Sequence, residues 1–289
     1  MSELYSTGID FIDDMLGGGV QPGSHVVVRG ATGVGKTQLG LAFLNAGRMQ
    51  EGERGIVMDL ASRGDSQQHL EYARRLFDWE LTSGELPLDN FWNGHFSRVD
   101  YFTSFNYSGR RVVRDNMTEE EWRAWKRTLN EKLQSVVAYL YYHFVHGVRR
   151  LVVDGIEPFE VAGDSIQIEL FEYILHRILH KRHDLVARDL FRGKWLEVKD
   201  AVAAHPYPNE DLASLFLQTT REVDIEDLIR AQTQEDDLTT NATTILLLGR
   251  LMDGPRVRRA AFCLKNRGHR CADEMVFFEV TDEGLKAVK

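Results

Sequence analysis

Hydrophobic and polar positions along this chain alternate between two periods. Short apolar runs bounded by turn residues read as buried strands: His25-Val26-Val27-Val28-Arg29 after Pro22-Gly23-Ser24, then 55–60, 98–102, 149–154, 212–218 and 243–250. Between them, apolar residues recur every third or fourth position, the spacing of a helix that buries one face. Gln38 to Leu44 gives such a helix directly after the first strand. Ser66 to Phe77 gives another, with Asp65 or Ser66 as its N-cap. Thr118-Glu119-Glu120-Glu121 is a capping box, and the long helix behind it aligns Trp122, Trp125, Leu129, Leu133, Val136, Leu140 and Phe144 until Gly147. A further helix is predicted over about Asp164 to His183, and 256–280 reads as a hairpin turning near Gly268.

Strands alternating with helices predict an α/β fold, a mostly parallel central sheet flanked by helices and joined by right-handed crossovers. Residues 184–211 interrupt this alternation with helical spacing through Leu185, Leu190, Trp195, Val198 and Val202. They read as a helical insertion packed on the same core, or as an element that docks a partner. The sequence has no internal repeat, and 1–289 is read as a single domain.

The first strand–helix junction carries the chemistry. Gly30-Ala31-Thr32-Gly33-Val34-Gly35-Lys36-Thr37 matches the phosphate-binding pattern G-x-x-x-x-G-K-[ST], in the strand–loop–helix context that pattern requires. Glycines let backbone N–H groups wrap a triphosphate, and the helix N-terminus adds its positive dipole end. Residues 30–38, Gln38 included, are therefore expected to bind ATP, with Lys36 reaching the β- and γ-phosphates and Thr37 holding Mg²⁺. Asp154, ending the strand Leu151-Val152-Val153, suits the carboxylate that supports the metal. Glu157, three residues on, is a weaker candidate for a base.

Composition narrows the setting. The net charge of −9 argues against a protein that coats nucleic acid. No apolar run approaches the roughly 20 residues that span a bilayer, and the first residues lack the basic-then-apolar pattern of a signal peptide. Cys263 and Cys271 read as reduced thiols. A cytoplasmic protein without membrane contact is expected.

These residues resemble the KaiC-like group of RecA-type P-loop ATPases. The entry Thr7-Gly8-Ile9-Asp10 with Leu16-Gly17-Gly18-Gly19, the P-loop, Asp154, Lys265-Asn266-Arg267-Gly268-His269 and the ending 277–284 are similar to that family's pattern. The resemblance implies a RecA-like core with a C-terminal β-hairpin, and a homo-oligomer, often a hexameric ring, with ATP between protomers. Carried over, Lys265 and Arg267 act on the γ-phosphate held by a neighbouring protomer. Residues 249–270 carry seven Lys or Arg against one acid, Asp253, which fits that role.

The chain departs from the family pattern at one point. Where the family places two consecutive glutamates after the second strand, this sequence has Leu60-Ala61-Ser62-Arg63-Gly64-Asp65. Asp59 or Asp65 is left to activate water, with a shorter reach, and a misplacement near 1 Å costs roughly a hundredfold in rate. A slow ATPase acting as a signalling or assembly regulator is the leading expectation, together with an unidentified protein partner. A non-hydrolysing ATP-dependent scaffold is the alternative.

Other constellations carry less. The loop 222–237 holds seven acids against Arg230, which disfavours a DNA recombinase or helicase. Gln218 or Thr219 could sense the γ-phosphate. His176, His180 and His183 have a spacing that can present imidazoles on one helix face, but the interleaved Arg177, Lys181 and Arg182 favour a solvated face. His143 and His146 are read the same way. The aromatic pairs Phe91-Trp92 and Trp122-Trp125 are read as core or interface.

Overall fold

The computed structural model describes residues 3–61, 68–84, 86, 91–92, 98–103, 118–158, 166–231 and 240–288, with backbone alone at 125, 126, 128–132, 166, 168 and 169. Its centre is a nine-stranded sheet ordered β3-β2-β4-β5-β1-β6-β7-β8-β9. These strands are β1 His25–Gly30, β2 Ile56–Asp59, β3 Tyr101–Thr103, β4 Arg150–Ile156, β5 Ala213–Thr219, β6 Thr244–Asp253, β7 Arg256–Asn266, β8 Val276–Thr281 and β9 Gly284–Ala287. The first six in spatial order pair in parallel, and the last three are added antiparallel beyond β6. The expected mostly parallel α/β architecture of a RecA-like P-loop core is present.

Side-chain alternation divides the sheet into two buried faces. Val26 and Val28 of β1, Val57 of β2 and Val152 of β4 join one core with helices α1 (Asp10–Met15), α2 (Lys36–Gln50) and α3 (His69–Phe77). Val27, Met58 and Val153 join the other, covered by α4 (Glu119–Val145) and α5 (Ile166–Ile174). The Thr118 capping box forms as expected: Glu121 N–H donates to Thr118 Oγ1, and Thr118 N–H to Glu121 Oε2. Gly147, at φ 94°, follows the helix end.

Two elements differ from the sequence expectation. The helix predicted to His183 changes at Leu175 into a π turn, Leu175–Leu179, and stops there; α6 then starts anew at His183 and runs to Leu190. Within 184–211 the chain breaks again at Arg192–Lys194 before α7, Trp195–Ala204. Val186, Ala187 and Val202 are buried in the α4 core, and Phe191 packs on Phe91, Trp92 and Tyr141. The insertion is therefore packed on the common core. The expected hairpin over 256–280 forms, with β7 pairing antiparallel to β8 through the connection that Gly268 opens, and a tighter turn at Gly254 joins β6 to β7 ahead of it. No helix among the described residues is long and apolar enough to cross a membrane.

Arg150, at the start of β4, fastens the layers. It is fully buried, and its guanidinium donates to both Glu51 carboxylate oxygens (2.7 and 2.8 Å), to the Ser6 and Phe43 carbonyls (2.6 and 2.7 Å) and to Gln50 Oε1. One side chain thus joins the entry segment, the end of α2 and the sheet. Arg150→Met should cost about 3–5 kcal/mol, because it leaves the Glu51 carboxylate beside an apolar surface without its partner. Arg150→Met/Glu51→Gln should recover part of that loss, and urea denaturation of the three proteins measures both values.

Candidate nucleotide site

The predicted phosphate loop lies between β1 and α2, at the edge of the sheet where the parallel strands end. It needs glycine at Gly30 and Gly35 for different reasons. A Cβ on Gly30 would lie 2.1 Å from the Leu248 carbonyl oxygen, so any side chain there pushes β1 off β6. Gly35 sits at φ 106°, with the Leu285 side chain 2.8 Å from where a Cβ would stand. Ala31 and Val34 are buried anchors, and Thr32 and Gly33 form the exposed crest. With α2 starting at Lys36, its N-terminal amides face the space that the crest encloses.

Lys36 is buried, and its ammonium donates to the Gly30 and Ala31 carbonyls at 2.8 and 2.9 Å. Burial lowers its pKa to about 8, against the opposing attraction of Asp154. Thr37, the next residue, donates its hydroxyl to Asp154 Oδ2 at 2.7 Å. Two residues 117 apart in sequence thus meet beside the lysine. A hydroxyl and a carboxylate form a hard-oxygen pair of the kind Mg²⁺ selects. Nearby, Gln218 is buried at the end of β5, and neither its Oε1 nor that of buried Gln38 has a protein partner. One of these acceptors lies near the end of β5 and the other in the first turn of α2, both beside the loop.

Asp154 belongs to a wider buried network. It lies level with Asp59 across the parallel β2–β4 pair, so two carboxylates stand side by side on adjacent strands, Asp59 ending β2 and Asp154 two residues before the end of β4. His69, the first residue of α3, stands between them, with Nε2 3.1 Å from Asp154 Oδ2 and Nδ1 3.9 Å from Asp59 Oδ2. Gln68 before it holds φ 58°, a left-handed conformation uncommon for a side chain of that size. Burial alone would raise Asp154. Hydrogen bonds from His69, Thr37 and the Gly155 N–H outweigh it, and the carboxyl is held below its ordinary range. Asp59 goes the other way: burial raises it despite His69, the Ala61 N–H and the Tyr101 hydroxyl, which donates at 2.8 Å.

This bears on the water-activating residue. Asp59 is wholly buried with both oxygens engaged, so it is placed as a structural carboxylate rather than an open base. Glu157 is exposed, with its N–H held by Gln167. Asp65 lies outside the described residues, as do Ser66 and the acids Glu235, Asp236 and Asp237.

The cations divide between the two ends of β7. Gly30 is level with Leu248 and, across it, with Ala261. Lys265 lies four residues further down β7, roughly 13 Å toward the opposite sheet edge, and Arg267 beyond it is exposed. Neither residue is brought to the chain's own P-loop. Arg259 is: its Nε reaches the Gly33 carbonyl at 3.4 Å, and Arg250, its cross-strand partner, has a guanidinium nitrogen 3.6 Å from where a Cβ on Gly33 would stand. The sequence signalled a basic stretch but not which arginines face the loop. His69 gave no signal at all, being one polar residue in an ordinary amphipathic helix.

Comparison with known proteins agrees with this geometry. A family model described as "ATPase: KaiC" matches residues 5–182. The circadian clock oscillator protein KaiC of Prochlorococcus marinus (strain MIT 9313) is 30% identical over 131 residues, covering 39% of this chain and 25% of that protein. The match thus spans a quarter of the relative's length.

The buried ammonium generates a test. Between about pH 8 and 10.5 the unfolded chain keeps a proton that folded Lys36 has released, so this group makes stability rise with pH across that window. Lys36→Met should remove that rise. Near neutral pH it should make the nucleotide-free protein more stable by up to about 3 kcal/mol, while ATP binding is lost. Urea denaturation across pH, with nucleotide titration alongside, checks both outcomes.

Proposed function

The chain belongs to the KaiC ATPase family, and on that footing we propose that it is a Mg-ATP-dependent oligomer whose nucleotide sites are shared between protomers and turn over slowly. The observation that carries this reading is the 2.7 Å contact of Thr37 with Asp154 beside the buried Lys36, which joins the two halves of a P-loop site. Nucleotide binding follows from the family. Sharing of the site, slow turnover and a role as a signalling or assembly regulator are the proposal.

In this reading, bound Mg-ATP supplies the phosphoric anhydride that is cleaved. Lys36 leaves the Gly30 and Ala31 carbonyls for the β- and γ-phosphates, and backbone amides from Gly33 to Thr37 line the phosphate chain. Thr37, through its hydroxyl oxygen, and Asp154 would hold Mg²⁺, which would neutralise phosphate charge. Arg259 and Arg250 add positive charge from the same protomer, and Gln218 donates its side-chain amide to the γ-phosphate. Lys265 and Arg267 complete a neighbour's site. Such a contact is heterologous, and a ring is the closed form it supports. Slow turnover follows from the sequence after β2, where the glutamate pair is replaced and Asp59 is occupied with Ala61 and Tyr101.

The second reading is a nucleotide-gated scaffold, favoured by the same missing glutamates; ATP then acts by stabilising one assembled state. Phosphate release at high protein concentration separates the two. Lys36→Ala and Arg267→Ala should each be inactive alone. Mixed, they should regain part of the wild-type rate, because some sites then combine an intact P-loop with an intact Arg267. No release by wild-type protein that still binds ATP would select the scaffold, and activity of Arg267→Ala alone would refute sharing.

A further inference from the structure

At the other edge of the sheet from the P-loop, three histidines converge from two elements, β1 and the π turn. His25, the first residue of β1, is buried, and its Nδ1 lies 2.8 Å from Ser214 Oγ at the start of β5. Its Nε2 lies 2.9 Å from Nε2 of His180, which reaches in from an exposed position at the end of the π turn. His176, exposed in that turn, has its ring centre 5.8 Å from that of His180. His183, the third histidine of the sequence pattern, packs instead on Tyr207, so the expected single solvated face does not form.

Several features hold this arrangement. The His180 N–H donates to the Leu175 carbonyl, a π-type bond that turns its ring toward β1. Asn209 donates to the carbonyls of Ile178, Leu179 and Lys181 on either side of it. His25 is fixed by a two-way exchange with Thr243. The basic neighbours are engaged elsewhere, Lys181 with Asp189 and Arg182 with Asp184. Neutral imidazole is the form that binds metals, and π turns recur at functional sites.

We propose that His25, His180 and His176 form a binding site for a borderline transition-metal ion, Zn²⁺ or its Co²⁺, Ni²⁺ and Cu²⁺ congeners, which clips the π turn to the P-loop strand. No cluster of three potential ligands is preassembled among the described residues. Two ligands are nearly preset: imidazoles at about 2.0–2.1 Å from a tetrahedral ion hold their nitrogens roughly 3.3 Å apart, a few tenths of an ångström more than here. His176 supplies the third nitrogen by rotation of an exposed side chain, and water completes the shell. Ser214 plays the part of the outer group that fixes the tautomer and orientation of a ligating histidine. All-imidazole ligation selects these ions over Mg²⁺, which keeps the site distinct from the nucleotide site.

Titration of the untagged, chelator-treated, nucleotide-free chain with Co²⁺ tests this, with Zn²⁺ as competitor. An equimolar visible ligand-field band, displaced by Zn²⁺, is expected, along with a rise in melting temperature that saturates with Zn²⁺. His180→Gln, whose amide can still bond His25, should lose both effects while keeping the circular dichroism of the wild type. His176→Ala should weaken binding, and Ser214→Ala should do so roughly tenfold. Asp154→Asn should retain the band. Absence of the band in wild type, its survival in His180→Gln, or its loss in Asp154→Asn would overturn the proposal.

Discussion

Two carboxylates side by side on adjacent strands in a dry interior set the terms for this site. Asp59 and Asp154 are level across β2 and β4, and both are buried. A charge in that position is costly unless donors surround it. The donors come from everything nearby: Thr37 opening α2, His69 opening α3, Tyr101 opening β3, and the amides of Ala61 and Gly155. Satisfying Asp154 is therefore also what brings the phosphate loop to that carboxylate. The same demand explains why the two aspartates differ, with Asp154 held ionised by three donors and Asp59 raised by burial.

The strand–helix alternation was legible because each strand is buried on both faces, so apolar runs such as Val26-Val27-Val28 stand out. The P-loop was legible because phosphate wrapping demands glycines at fixed offsets, and Gly30 faces a carbonyl at a distance no side chain tolerates. Asp154 was legible as the last polar residue of an apolar strand. The π turn was not. Leu175, Ile178 and Leu179 are all buried, as an α-helix would bury them, and one extra residue per turn leaves no trace in so short a pattern. The C-terminal hairpin was legible from Gly268, and β7 and β8 do pair antiparallel across that connection; the tighter β6–β7 turn at Gly254 was not picked out, although it joins strands that pair over ten register positions. His143, read as solvated, is a core residue bonded to the Tyr139 carbonyl, and burial lowers it to about 4.

Sheet polarity then divides the functional residues between two ends. Parallel strands carry the P-loop, Asp154 and Gln218 at one edge, and His25, Ser214 and Thr243 at the other. β7, running antiparallel, spans both. Its Arg259 touches the loop of its own chain, while Lys265 and Arg267 stand at the far end, eight residues separating the two arginines. At about 3.3 Å per residue this is roughly 25 Å, too far for one triphosphate to bridge.

A strand with cations at both ends serves two phosphates or leaves one set unused. The local surroundings favour the first choice. Asn266, between Lys265 and Arg267, donates to the Leu16 and Arg270 carbonyls and accepts from Thr244, and the Arg267 N–H donates to the Thr243 carbonyl. The backbone that presents Lys265 and Arg267 is thus tied to the entry segment and to β6, while the Arg267 side chain stays exposed. Fixing the backbone before a partner arrives lowers the ordering cost of the contact. If protomers meet as proposed, β7 also links one nucleotide to the next: Arg259 reads the occupancy of its own loop, and the same strand carries Lys265 and Arg267 to the neighbour.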